Sequence, residues 1–150
     1  MMGSKLVLKR RTKIRHLPGR MAAGAFLLNT GIDKLDADDD TAKRLHSAAS
    51  EVYPFVADMD PRSFTKGLAA AEVALGGSLM LPFMPSWLVG LGLAGFSGGL
   101  VNQYLRTPGM TQQGSVRPTR DGMAMAKDVW MLGIALGIVL DRETWFRRRH

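Results

Sequence analysis

The 150-residue chain contains no cysteine. That single absence excludes disulfides, thiol redox relays, thiolate metal sites and covalent haem attachment. Histidine is scarce too: His16, His46 and His150 lie far apart, and no pair has a metal-ligand spacing. Aromatic residues are 7% of the chain and are little interleaved with its basic ones, so nucleic acid is not an expected partner despite a net charge of +7. No short apolar stretch with a small-residue cleavage site follows the basic start, so no cleavable signal peptide is expected. Charge itself is missing from 33 consecutive residues, 73–105, much the longest uncharged run in the sequence.

That uncharged run sets the first structural expectation. As one straight helix it would reach roughly 50 Å at about 1.5 Å per residue. A bilayer's hydrocarbon core is about 30 Å thick and takes roughly 20 helical residues. The run is too long for one span and slightly short for two. Pro82 and Pro85 interrupt it, and proline breaks a helix by removing a donor and clashing with the preceding turn. A helical hairpin with a tight, uncharged turn is the expected outcome.

Two further apolar segments extend the pattern. Residues 17–32 hold no acidic residue, and residues 129–140 hold no charge at all. Read with their flanks, the segments predict an all-α fold: a polytopic membrane protein whose four-helix transmembrane bundle spans about 17–35, 63–81, 86–105 and 123–141. Residues 1–16 form a basic arm and 142–150 a basic tail around the 17–141 domain. Between the first two spans, Leu45, Ala49, Val52 and Val56 recur on one helical face, which predicts a short external amphipathic helix beginning near Thr41. Residues 106–122, with Pro108, Gly109, Gly114 and Pro118, read as a loop.

Charge orients this picture. The arm and tail, with Arg20, carry 11 of the 20 basic residues against only Asp141 and Glu143. Under the positive-inside rule both termini are expected to be cytoplasmic in a multi-pass protein of the bacterial plasma membrane. Lys9, Arg10, Arg11, Lys13, Arg15, Arg147, Arg148 and Arg149 are the expected docking residues for anionic lipid headgroups or for partner subunits.

Glycine is concentrated in the later helices. Gly95 and Gly99 are four apart, as are Gly90, Ala94 and Gly98, and Gly133 and Gly137. Small residues at this spacing let helix backbones approach closely, and packing within the chain is the expected use.

The candidate site follows from span direction. Alternating spans bring Asn29, Asp33, Lys34, Glu72, Asn102, Arg106, Lys127 and Asp128 to one end of the bundle. Glu72 has no charged neighbour in its own span after Lys66, so it should pair with Lys127, Lys34 or Arg106, or stay protonated. Such a cluster serves either as a polar pocket for a quinone headgroup, a small solute or a proton, or as an ion-pair network that fixes helix register. Both uses remain open at this level. No catalytic set and no metal motif is evident.

Three stretches resemble the DoxX-like family of small four-span bacterial membrane proteins. They are the segment from Arg20 through Gly31-Ile32-Asp33-Lys34-Leu35, the Glu72-Val73-Ala74-Leu75-Gly76-Gly77 stretch, and Lys127-Asp128 opening the last apolar segment. Together they cover about residues 17–141. The basic arm and the long 106–122 loop are departures from it. The resemblance implies a four-helix membrane domain and an association with redox complexes, including thiosulfate:quinone oxidoreductases and oxidative-stress assemblies. It carries over no catalytic residue; only Arg20, Asp33, Lys34, Glu72 and Lys127 match family positions. The expected function is a non-catalytic accessory or assembly subunit of a larger membrane redox or respiratory complex, partnered by other membrane subunits. A quinone- or small-lipophile-binding oxidoreductase component is the alternative, with a quinone as its possible cofactor.

Overall fold

A computed structural model describes residues 14–141. The elements are α1 (Leu17–Leu35), α2 (Asp39–Val52), α3 (Pro61–Met80), α4 (Ser86–Arg106), the single turn α5 (Met123–Ala126) and α6 (Val129–Val139), with short 3-10 turns at Ile14–His16 and Pro54–Val56. Local signals account for the boundaries. Pro18 sits in the first turn of α1, where its missing N–H costs nothing. Asp38 caps α2 by accepting from the Thr41 amide at 2.7 Å, so this helix starts two residues before Thr41. Asp60 caps α3 through the Ser63 amide at 3.0 Å, just ahead of Pro61.

Two antiparallel pairs build the fold. α1 packs along α3, and α4 packs along α6; the turn 81–85 joins the pairs, and α2 lies on α3 and touches α4. The shared core is Ala23 and Leu27 from α1, Leu79 from α3, Val89 and Leu93 from α4, and Met131 and Ala135 from α6. Tyr53 fastens the α2 end to α4: its hydroxyl donates to the Gly99 carbonyl at 2.7 Å and accepts from the Asn102 amide nitrogen at 3.0 Å.

The membrane expectation does not survive. Among the described residues no helix is long and apolar enough to cross a membrane. The four-span transmembrane bundle, the multi-pass plasma-membrane placement and the orientation of the termini drawn from it are therefore corrected. Two physical reasons explain the misreading. The segment 123–141 is not one helix, since Lys127 and Asp128 separate α5 from an α6 of only 11 residues. An 11-residue helix reaches about 17 Å, little more than half of a hydrocarbon core. The longer helices fail on polarity instead. Absence of charge in 73–105 is not the same as hydrophobicity, because the run includes seven glycines, three serines, two prolines, Asn102 and Gln103. α1 and α3 each add charged residues to stretches rich in alanine and glycine.

Candidate functional site

α1 and α3 approach each other through glycine. A Cβ built on Gly24 would lie 2.8 Å from the Gly76 carbonyl oxygen, and one on Gly76 would lie 2.8 Å from the Gly24 carbonyl oxygen. Two turns further along, a Cβ on Gly31 would meet the Ala69 carbonyl and the Val73 amide at 3.0 Å. Any side chain at these positions would force the helices apart. Glu72 sits between Ala69 and Gly76 on the same face of α3, so the close crossing covers it with α1.

Covered this way, Glu72 is only 4% exposed and needs partners from α1. Thr30 donates its hydroxyl to Oε2 at 3.0 Å, and Lys34 donates Nζ to the same oxygen at 3.1 Å. Of the expected partners Lys127, Lys34 and Arg106, Lys34 is the one bonded to Glu72, because it follows Thr30 by one helical turn on the α1 face turned toward α3. Asp128, at the start of α6, joins the set electrostatically. Burial pushes its carboxyl above the usual carboxylate range, Lys34 pulls it back and Glu72 raises it further.

Other members of the expected cluster stand apart. Asn29 and Asp33 are exposed on α1, Arg106 is exposed at the end of α4, and Lys127 is exposed beside Asp128. Asn102 belongs to the separate Tyr53–Gly99 contact. Three of the eight candidates, Lys34, Glu72 and Asp128, thus form one electrostatic unit. Among the docking candidates, Lys9, Arg10, Arg11, Lys13, Arg147, Arg148 and Arg149 lie outside the described residues. Arg15 is engaged within the fold, donating Nε to Asp141 at 2.7 Å.

The opposite end of the fold holds a group that sequence reasoning placed in no site. Arg20 is fully buried. Its Nε donates to the Leu79 carbonyl at 2.9 Å. Nη1 donates to the Met84 carbonyl at 2.9 Å and to the Ser86 hydroxyl at 3.0 Å. Nη2 donates to the carbonyls of Ser78 at 3.1 Å and Leu81 at 2.9 Å. A guanidinium has five N–H donors, and five acceptors meet it. Four of those acceptors are carbonyls at the C-terminal end of α3 and in the following turn, where a helix leaves carbonyls unsatisfied and its dipole favours a cation. Burial lowers the Arg20 pKa by desolvation, yet a guanidinium so far above neutrality stays charged. A sequence signal existed: Arg20 is the only charge in 17–32 and is followed by Ala22, Ala23 and Gly24, small residues that suit a helix contact rather than solvent.

Beside it, His16 Nε2 bonds Asp141 Oδ2 at 2.9 Å and thereby ties the entry to α1 to the chain leaving α6. His16 Nδ1 is buried without a hydrogen-bond partner among the described residues. Among the described residues no three His, Asp or Glu side chains converge in a way that could hold a metal ion.

No family model matches the chain, and no curated protein or solved structure matches it. The DoxX-like resemblance therefore rests on the residues quoted for it above.

Proposed function

We propose that this chain is a non-catalytic accessory module that assembles with another protein subunit through its uncharged helical hairpin. The carrying observation is an apolar surface around the α3–α4 turn. Leu81, Phe83, Trp87, Leu88 and Leu91 are each between 39% and 69% exposed, and no charged residue interrupts them. Exposed apolar clusters of this kind mark interaction sites more often than idle surface. A surface without charge along its whole length selects an apolar protein face as its complement, because a charged partner would lose hydration with nothing to pair against.

The ionisable groups support the same reading. Arg20, Glu72 and Lys34 are occupied in holding helices to one another, a structural use of buried polarity. The DoxX-like resemblance adds a direction, since it implies accessory roles in redox assemblies.

Mild affinity purification of the full chain with mass spectrometry of co-eluting proteins tests this. A reproducible partner set should accompany the wild-type chain and be lost from the Leu88→Glu/Leu91→Glu variant, with helical content unchanged by circular dichroism. An identical partner set for both proteins, or none for the wild type, would overturn it. Extraction of a stoichiometric quinone from the wild-type protein would favour the small-lipophile reading instead.

A further inference from the structure

The chain leaves the fold of residues 14–141 beside the exposed hairpin surface. A Cβ on Gly90 would meet Ile138 at 2.8 Å and Val139 at 3.2 Å, so antiparallel α4 and α6 stand level there. Asp141 lies two residues past Val139, about 3 Å further in the same direction, which runs back along α4 toward Trp87 and Leu88. A second line of contacts agrees. His16 bonds Asp141 at 2.9 Å, and one turn along α1 Arg20 donates to the carbonyls of Leu81 and Met84 in the hairpin turn. Residues 142–150 therefore set out from the rim of a surface on which Phe83, Leu88 and Leu91 are exposed. Their only apolar members are Trp145 and Phe146, adjacent in sequence and flanked by Arg142, Arg147, Arg148 and Arg149.

We infer that Trp145 and Phe146 dock on the α3–α4 hairpin surface and shield it, so that a partner has to displace the tail. This deepens the reading of that surface as a partner face, but the docking itself needs no partner. Reach permits it. Trp145 lies four residues after Asp141, at most about 14 Å of extended chain. One turn of α4, from Trp87 to Leu91, takes about 6 Å. Chemistry selects the rings. The surface carries no charge, so it gains from large aromatic side chains and leaves the flanking arginines in water. Tethering decides between the tail and a second copy. A segment joined this closely meets the surface at an effective concentration on the order of millimolar, which separate copies reach only in concentrated solution.

NMR of the full-length protein tests the proposal, with the Trp145 indole N–H assigned by its loss in Trp145→Ala. In the wild type that signal should lie away from its position in the urea-unfolded chain, and roughly tenfold dilution should not move it. Leu88→Glu/Leu91→Glu should return it to the unfolded position, whereas Val116→Glu, in the loop at the other end of α4, should not. The reverse change, Trp145→Ala/Phe146→Ala, alters no residue of the helices and should shift the methyl signals of Leu88 and Leu91. Affinity purification of this tail variant should recover several-fold more partner than the wild type. An indole at the unfolded position in the wild type, or one unmoved by Leu88→Glu/Leu91→Glu, would overturn the docking. A signal that moves on dilution would overturn it too, by assigning the contact to a second copy. Equal partner recovery from wild type and tail variant would overturn the shielding. No partner for either protein would remove the partner reading and its shielding consequence, with docking still decided by the indole signal.

Discussion

The α1–α3 pair and the α4–α6 pair solve the same packing problem with opposite means. α1 and α3 bring backbone against backbone at Gly24, Gly31 and Gly76, then add an ion pair and a buried arginine around the crossing. α4 and α6 meet mainly through side chains, with Gly90 set against Ile138 and Val139, and leave Gly95, Gly98, Gly133 and Gly137 facing open space. Three glycines of the first pair meet backbone of the facing helix, whereas in the second pair only Gly90 meets its neighbour, and it meets side chains. The first is polar inside and specified by directional bonds; the second is apolar and specified by shape alone. A bonded interface tolerates little change in its parts, whereas a shape-only interface tolerates volume-conserving change.

The largest effect should come from the buried guanidinium that anchors the first pair to the hairpin turn. Arg20→Met keeps the apolar stem of the side chain but removes the guanidinium donor from the carbonyls of Ser78, Leu79, Leu81 and Met84, of which Leu81 still accepts from the Met84 amide at 3.1 Å. Several stranded acceptors at once should cost about 4 kcal/mol or more, read by urea denaturation. Arg20→Lys should recover only part of that, because an ammonium offers three donors without the planar fork. A cost below about 1 kcal/mol for Arg20→Met would show that water replaces the guanidinium freely.

Gly76→Ala strikes the crossing itself. The added methyl would lie 2.8 Å from both the Gly24 carbonyl oxygen and the Leu28 amide nitrogen, and backbone cannot step aside as a side chain can. Separation of α1 from α3 should cost about 2–3 kcal/mol in the same denaturation experiment, despite alanine's better helix propensity. Stability equal to wild type would mean that the two helices slide without penalty.

The positions of the first four helices and the hairpin turn at Pro82–Pro85 were legible in the sequence, because period, caps and proline act locally, whereas the expected single helix over 123–141 is broken at Lys127-Asp128. Glu72 was legible as a charge in need of a partner, and Lys34 stood among its expected partners. What one sequence could not supply was the depth of the crossing. Gly24 and Gly76 read as ordinary small residues until their carbonyls face each other, and only that contact explains why Glu72 is covered while Asn29 and Asp33 stay exposed. Arg20 was read for its charge and assigned to the arm; its role depends on carbonyls about sixty residues away. The membrane reading failed for a related reason. It equated missing charge with apolarity, while glycine and serine diluted the run and Lys127-Asp128 cut the last helix short.

Glu72→Gln tests the polar interior of the first pair at moderate cost. The amide keeps the shape and can still accept from Thr30, but it leaves the Lys34 ammonium without its carboxylate. A loss of about 1–3 kcal/mol is expected. Asp128 should behave in the opposite sense. Its folded-state pKa is raised, first by burial, then with Lys34 opposing and Glu72 adding to it. An acid raised on folding binds more protons in the folded than in the unfolded state, so stability falls as pH climbs from its unfolded value, near 3.8, through its folded one. Asp128→Asn should therefore stabilise the protein at neutral pH and change little well below 3.8, measured as unfolding midpoints across that range. A destabilised Asp128→Asn at neutral pH would mean that attraction to Lys34 outweighs burial.

The smallest effects carry the sharpest contrast between the pairs. Gly133→Ala and Gly137→Ala place a methyl where nothing lies within 4 Å, on a helix whose backbone is otherwise unchanged. No neighbour has to move, and the unfolded chain loses conformational freedom that folding would otherwise have to remove. Each substitution should stabilise the isolated protein by about 0.5–1 kcal/mol, the difference in helix propensity between glycine and alanine. The same chemical change thus carries opposite signs at Gly76 and Gly137, and denaturation midpoints of the two variants beside wild type read that sign directly. Destabilisation at both positions would erase the distinction, for it would mean that the α6 glycines are packed as tightly in solution as those of the α1–α3 crossing.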